Sequence, residues 1–136
     1  MKKILLIDDD HEIIELTKER LEANGYKVET ACDGEQGLHM ALTHAPDLIV
    51  ADIKMPKLDG YSFVKIMKRE KAAKRIPIIV LTAFVNMKDL FSIEGVDGYM
   101  AKPFKAEELL SKIKECLNRV QDGDKDGNKN ENLIGG

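Results

Sequence analysis

The chain has 136 residues, 21 of them basic and 24 acidic, for a net charge of −3 at pH 7. That length fits one domain with one core, and the near balance of 19 basic and 20 acidic residues over positions 1–120 argues against a dedicated nucleic-acid surface. No apolar run reaches membrane-spanning length, and Met-Lys-Lys leads into too brief an apolar run for a signal peptide. With Cys32 and Cys116 read as small packed side chains, the expectation is a reduced, cytoplasmic protein without a membrane partner.

Lys3 to Ile7 (KILLI) is an unbroken apolar run, the pattern of a strand buried on both faces of a parallel sheet. It discharges into Asp8, Asp9 and Asp10, three adjacent carboxylates that repel and need a cation or solvent to stay ionised. Asp9 with Glu12 fits a capping box for the helix that follows, which leaves at least one acid unexplained. Ile13, Ile14, Thr17 and Leu21 make a helical stripe, and Gly25 closes it. Residues 26–31 read as the second strand. Asp33 and Gly34 then turn the chain into a helix with Leu38, Ala41 and Leu42 inward, stopped before Pro46.

Residues 48–60, LIVADIKMPKLDG, hold the centre of the pattern. Leu48 to Ala51 repeat the buried-strand signature, and the run ends on Asp52. A strand interior will not hold a bare charge, so Asp52 belongs at the strand's exit, where open α/β sheets place their ligands. Alone, it would be read as a helix cap. If strands 1 and 3 are neighbours, however, Asp52 and the first acids converge on an oxygen-rich pocket of the kind that suits Mg²⁺. Pro56 forbids an immediate helix, and Gly60 permits a turn that other residues would resist. Phe63, Val64 and Met67 mark a third helix. Its outer run of Lys65, Lys68, Arg69, Lys71, Lys74 and Arg75 reads as a solvated helix end.

Residues 78–81 form another buried strand, ending in Thr82-Ala83. Residues 84–96 are the least regular stretch, with Leu90, Phe91 and Ile93 as apolar members. Residues 98–101 lead into Lys102-Pro103-Phe104, and Leu109, Leu110, Ile113, Leu117 and Val120 define a last helix. Five alternations of strand and helix predict an α/β fold: a parallel sheet covered on both faces by right-handed crossovers. His11, His39 and His44 are too scattered for a catalytic or metal cluster and read as surface residues. From Gln121 the composition turns polar and glycine-rich, so residues 1–120 read as the domain and 121–136 as a disordered tail. Within that tail Asp122, Asp124, Asp126 and Gly127 open like a calcium loop. Its eighth and twelfth positions are Lys129 and Leu133 instead of an apolar residue and Glu, which argues against a calcium site.

Taken in order, these strand exits deliver Asp8-Asp9, Asp52 with Met55-Pro56 and Gly60, Thr82-Ala83, and Tyr99 with Lys102-Pro103-Phe104. This set resembles the response-regulator receiver domain of two-component signalling over residues 2 to about 120. The resemblance implies a flavodoxin-like fold with strand order 2-1-3-4-5. It implies Asp52 as the acceptor of a phosphoryl group from a sensor histidine kinase or phosphotransfer protein. Asp8, Asp9, Asp52 and the backbone carbonyl of Lys54 would hold Mg²⁺, while Lys102, the Thr82 hydroxyl and the Ala83 backbone N–H would meet the phosphoryl oxygens. Thr82 and Tyr99 would be the switch residues, reshaping the surface of strand 4, its following helix, strand 5 and the last helix. Nineteen residues separate Thr82 from Lys102, fewer than most relatives have, so residues 84–96 are expected to be mobile until phosphorylation orders them.

Two rivals share the fold class. A flavodoxin-like cofactor binder needs a phosphate-cradling loop after strand 1, where three aspartates would repel the phosphate. A haloacid-dehalogenase-type phosphohydrolase matches the spacing of Asp8 and Asp10, but His11 and Glu12 follow, and Gly95-Val96-Asp97-Gly98 is no late acid pair. A degenerate scaffold is disfavoured because every expected site residue is present. The chain is therefore read as a regulatory phosphoacceptor that assists its own labelling, not as an enzyme. Its output is either a docking partner or a domain beyond Gly136.

Overall fold

The apolar runs at 3–7, 48–52 and 78–82 carry branched side chains on both faces, and they form the centre of one parallel sheet. The computed structural model describes residues 1–54, 57–83 and 96–119. β1 (Lys3–Ile7), β2 (Lys27–Ala31), β3 (Leu48–Asp52), β4 (Ile78–Thr82) and β5 (Gly98–Ala101) lie in the order β2-β1-β3-β4-β5. The described helices are α1 (His11–Ala23), α2 (Gly34–His44), α3 (Gly60–Arg69) and α4 (106–119).

The period-two alternation of a strand sorts the core into two layers. Ile4, Leu6, Val50, Ile79 and Leu81 face α1 and α4, meeting Ile14, Leu21, Leu109, Ile113 and Cys116. Leu5, Ile7, Ile49, Ala51, Ile78 and Val80 face the other way, onto Ala41 of α2 and Phe63, Val64 and Met67 of α3. Full burial of each such large side chain stabilises the fold by about 1.5–3 kcal/mol. That is why β3 and β4, buried at all five positions, show no polar alternation, while the edge strands β2 and β5 do carry partly exposed residues.

Several local expectations are corrected. The N-cap of α1 is Asp10, not Asp9: its carboxylate accepts from the N–H groups of Glu12 at 3.0 Å and Ile13 at 3.3 Å. The helix starts one residue later than a box on Asp9 requires, so Glu12 sits too early to close one, and Asp9 is left to the site. The inward face of α2 is Gly34, Gly37 and Ala41, with Leu38 half-buried, whereas Leu42 is exposed. Gly37 is what lets the helix lie so close to β1, since an added Cβ would meet the Ile7 side chain at 2.5 Å. Gly60 likewise serves close approach rather than a left-handed turn. Its Cβ would lie 2.7 Å from Ile53 Cα, and it is Lys57 that takes the positive φ, +69°. Gly25 does close α1, at φ +92°. Cys116 is buried as expected, but Cys32 is exposed, because it stands past the end of β2 in the turn before α2.

Candidate functional site

All five strands run the same way, so their C-terminal exits share one edge of the sheet. The Asp8 N–H donates to the Ala31 carbonyl at 3.1 Å, extending the β1–β2 ladder by one residue and drawing the Asp8 carboxylate into the core, where it is fully buried. One of its oxygens accepts the Asp10 N–H at 3.0 Å. Asp9 is exposed beside it. Asp52 ends β3 and is also buried, with the Lys54 N–H reaching its Oδ1 at 3.4 Å. Carboxylate oxygens of Asp8, Asp9 and Asp52 all lie within 4.8 Å of one another.

Lys102 enters from the turn after β5, where its peptide bond to Pro103 is cis. Its backbone N–H donates to the Thr82 carbonyl at 2.7 Å, so the end of β4 fixes where the side chain starts. Its ammonium donates to Asp8 Oδ2 at 2.8 Å and Asp52 Oδ2 at 3.2 Å. Thr82 is the buried last residue of β4, opposite Ala101; Ala83 is exposed next to it. Tyr99 is half-buried on the α2–α3 side of the sheet. The structure thus brings together Asp8, Asp9, Asp52 and Lys102, and it places Thr82 and Ala83 at the neighbouring strand exit. Met55, Pro56, residues 84–95 and the tail lie outside the described residues, and with them most of the expected switch segment and the Asp122–Asp126 reading.

Three carboxylates and one ammonium leave a formal −2, held by oxygen donors alone. That donor set and charge fit a hard divalent cation such as Mg²⁺. Burial, then the charge of Asp8, pushes the Asp52 carboxyl above its ordinary range; the Lys102 ammonium and the Lys54 N–H pull it down without cancelling the rise. For Lys102, burial works against the charged form, but the hydrogen bond to Asp8 and the charges of both acids together outweigh it, and its pKa is raised.

An acid whose pKa is higher in the folded than in the unfolded state destabilises the fold once ionised, fully so above the folded pKa and not at all below the unfolded one. The metal-free Asp52→Asn variant is therefore expected to melt a few degrees above wild type at pH 7, ~1 kcal/mol. The advantage should shrink as the pH falls through the raised Asp52 pKa toward about 4. Melting curves from pH 7.5 to pH 4 read this directly, and a variant less stable than wild type at pH 7 would contradict it.

One feature around the site was not read from the sequence. Lys102, Pro103 and Phe104 line an apolar cleft of about 230 Å³ with Ile13, Leu16 and Thr17 of α1, and Leu16 is 63% exposed on it. Its signal was available in Leu16, three residues after Ile13 and apolar yet off the buried stripe.

A family model described as response regulator receiver domain matches residues 4–114. The alkaline phosphatase synthesis transcriptional regulatory protein PhoP of Bacillus subtilis is 43% identical over 122 residues, covering 88% of this chain and 50% of its own. Among solved structures, the receiver domain of the Francisella response regulator 1452 superposes with a TM-score of 0.83 at 33% identity, covering 88% of this chain and 99% of that one. The receiver domain of the sensor histidine kinase PA1611 from Pseudomonas aeruginosa, solved with a magnesium ion coordinated in its active-site cleft, gives 0.79 at 31% identity, covering 86% and 98%. The chain belongs to the response regulator receiver domain family. It spans about half the length of the curated relatives it matches. It is a phosphorylation-regulated signalling domain of the two-component class, with a regulatory role.

Proposed function

We propose that Asp52 is the residue that takes the phosphoryl group. The observation that carries the reading is the Asp8–Asp9–Asp52 cluster with the Lys102 ammonium shared between two of its members. An ionised carboxylate is already a competent nucleophile; what it lacks is neutralisation of the incoming charge. A carboxylate oxygen of Asp52 attacks phosphorus and the P–N bond to a phosphohistidine on a sensor kinase or phosphotransfer protein breaks. The electron pair of that bond returns to the imidazole, which takes up a proton. Lys102 meets the phosphoryl oxygens as a point charge. The Thr82 hydroxyl and the Ala83 N–H complete their binding.

Asp8, Asp9, Asp52 and the Lys54 carbonyl are the groups that would hold Mg²⁺, which when bound neutralises charge on the transferring group. Incubation with a small phosphodonor such as acetyl phosphate and Mg²⁺ should add one phosphoryl group by intact mass; none added would overturn the reading. Phosphorylation then biases Thr82 and Tyr99, and through them the surface of β4, residues 84–95, β5 and α4, toward a form that partners recognise. The output is a docking partner or, by analogy with the transcriptional relative, a further domain.

Because a ligand that binds only the native state stabilises it, Mg²⁺ at about ten times its dissociation constant should add ~1.4 kcal/mol, several degrees in Tm. Asp9→Ala is expected to raise the metal-free Tm by relieving repulsion and to abolish the Mg²⁺ increment. An unchanged increment in that variant would remove Asp9 from the set.

A further inference from the structure

We infer that the end of the domain opposite the acid cluster binds the phosphate backbone of nucleic acid through the C-terminal end of α3 and the turn that follows it. Residues 65–75 hold six of the chain's 21 basic residues and one acid, a local +5 in a chain of net −3. The other 125 residues therefore carry −8, so charge is segregated, and the overall balance conceals a basic pole. α3 starts where β3 exits and runs back to where β4 begins, which puts this pole at the far end of the sheet from Asp52. A polyanion held there leaves the phosphoacceptor open.

The structure adds what the sequence alone did not supply. The basic turn is braced. The Lys68 ammonium donates to the carbonyls of Lys74 at 3.2 Å and Ile76 at 3.5 Å. The Lys74 N–H donates to the Glu70 carbonyl at 2.8 Å, and Ala73 is buried in the core beneath. Lys68 is thus a positioning residue, and Lys65, Arg69, Lys71 and Lys74 are the exposed cations it helps present. Lys65 and Arg69 stand four apart on one face of α3, roughly 5–6 Å between Cβ atoms. A fixed platform loses less conformational freedom on binding than a floppy tail of lysines.

The kind of polyanion follows from what surrounds the cations. A protein partner needs an apolar centre to bury. Of the large hydrophobic side chains that are well exposed among the described residues, Met1, Leu16 and Leu42 lie outside this run, and Tyr61 stands at the other end of α3, beside the exit of β3. Charge without an apolar centre suits a phosphodiester backbone.

The experiment is fluorescence anisotropy of the full chain with a labelled 20-base-pair duplex of mixed sequence at salt from 25 to 200 mM. Binding on the order of 10⁻⁵ M at the low end is expected, with a log–log salt slope of about −3 to −4 for four phosphate contacts. The variant Lys65→Gln/Arg69→Gln/Lys71→Gln/Lys74→Gln should lose more than tenfold in affinity while still accepting a phosphoryl group. The equally discharged Lys18→Gln/Lys57→Gln/Lys105→Gln/Lys114→Gln, which leaves that end of the sheet untouched, should keep it. No binding by wild type at 25 mM salt, equal losses in both variants, or binding to phosphatidylserine vesicles but not to DNA would each overturn the inference. Phosphorylation, measured on the same samples, reports the Asp52 reading separately.

Discussion

Asp52→Asn is expected to abolish phosphoryl acceptance, lowering the labelled fraction on the order of 100-fold or more under conditions that label wild type fully. The amide keeps the size of the carboxylate and removes the nucleophilic oxygen. The fold should tolerate it, because the substitution discharges a buried acid that Asp8 already repels. The other two acids are poor substitutes for different reasons. Asp8 is fully buried, with one oxygen occupied by the Asp10 N–H and the other by the Lys102 ammonium. Asp9 is exposed, beyond the end of β1. Intact mass after incubation with acetyl phosphate and Mg²⁺ decides it: undiminished labelling of Asp52→Asn would place the acceptor elsewhere, and peptide mapping would show where.

The part of this arrangement that was legible in the sequence is the part governed by burial on both faces. LLI, LIVA and IIVL read as strands buried on both faces, and a carboxylate after such a run belongs at its exit. The acid cluster, Lys102 and the two core layers followed from that together with the family resemblance. Strand order came from the resemblance and not from periodicity, since hydrophobic pattern carries no information on which strand neighbours which.

What could not be read were choices between near-equivalent registers. Asp8-Asp9-Asp10 offers three capping positions, and the winner depends on how far the β1–β2 ladder extends, which the bond from Asp8 N–H to the Ala31 carbonyl fixes. In α2 a leucine count favours Leu42 inward. Two glycines override it: Gly37 lets the helix approach Ile7 of β1, Gly34 lets it approach Leu58, and both lie on the buried face, which Leu42 does not share. The pairing of Lys102 with both Asp8 and Asp52 spans 94 and 50 residues and is set by the turn that follows β5, not by any local spacing.

That pairing carries the other large expected effect. In Lys102→Met the aliphatic stem is kept beside Pro103 and Phe104, and only the charge goes. The fully buried Asp8 and the nearly buried Asp52 then face each other without a counter-ion. Removing one partner of a buried ion pair costs about 3–5 kcal/mol; Asp8 keeps the Asp10 N–H, so ~2–3 kcal/mol is expected here, or a Tm lower by roughly 10 °C in the metal-free protein. A lysine whose pKa is raised on folding contributes stability that is complete below its unfolded pKa and lost as pH rises through the folded one, so on the alkaline side the difference between wild type and variant should fade only in strong alkali. On the acid side it should shrink as Asp52, whose pKa is raised, takes up its proton. Two further readouts separate this account from simple loss of packing. Mg²⁺ should stabilise Lys102→Met by more than wild type, since the cation takes over the missing neutralisation. The double variant Lys102→Met/Asp52→Asn should recover part of the loss, a non-additivity expected of groups in one network. If Lys102→Met melts with wild type and responds to Mg²⁺ equally, the ammonium does not hold the acid cluster together.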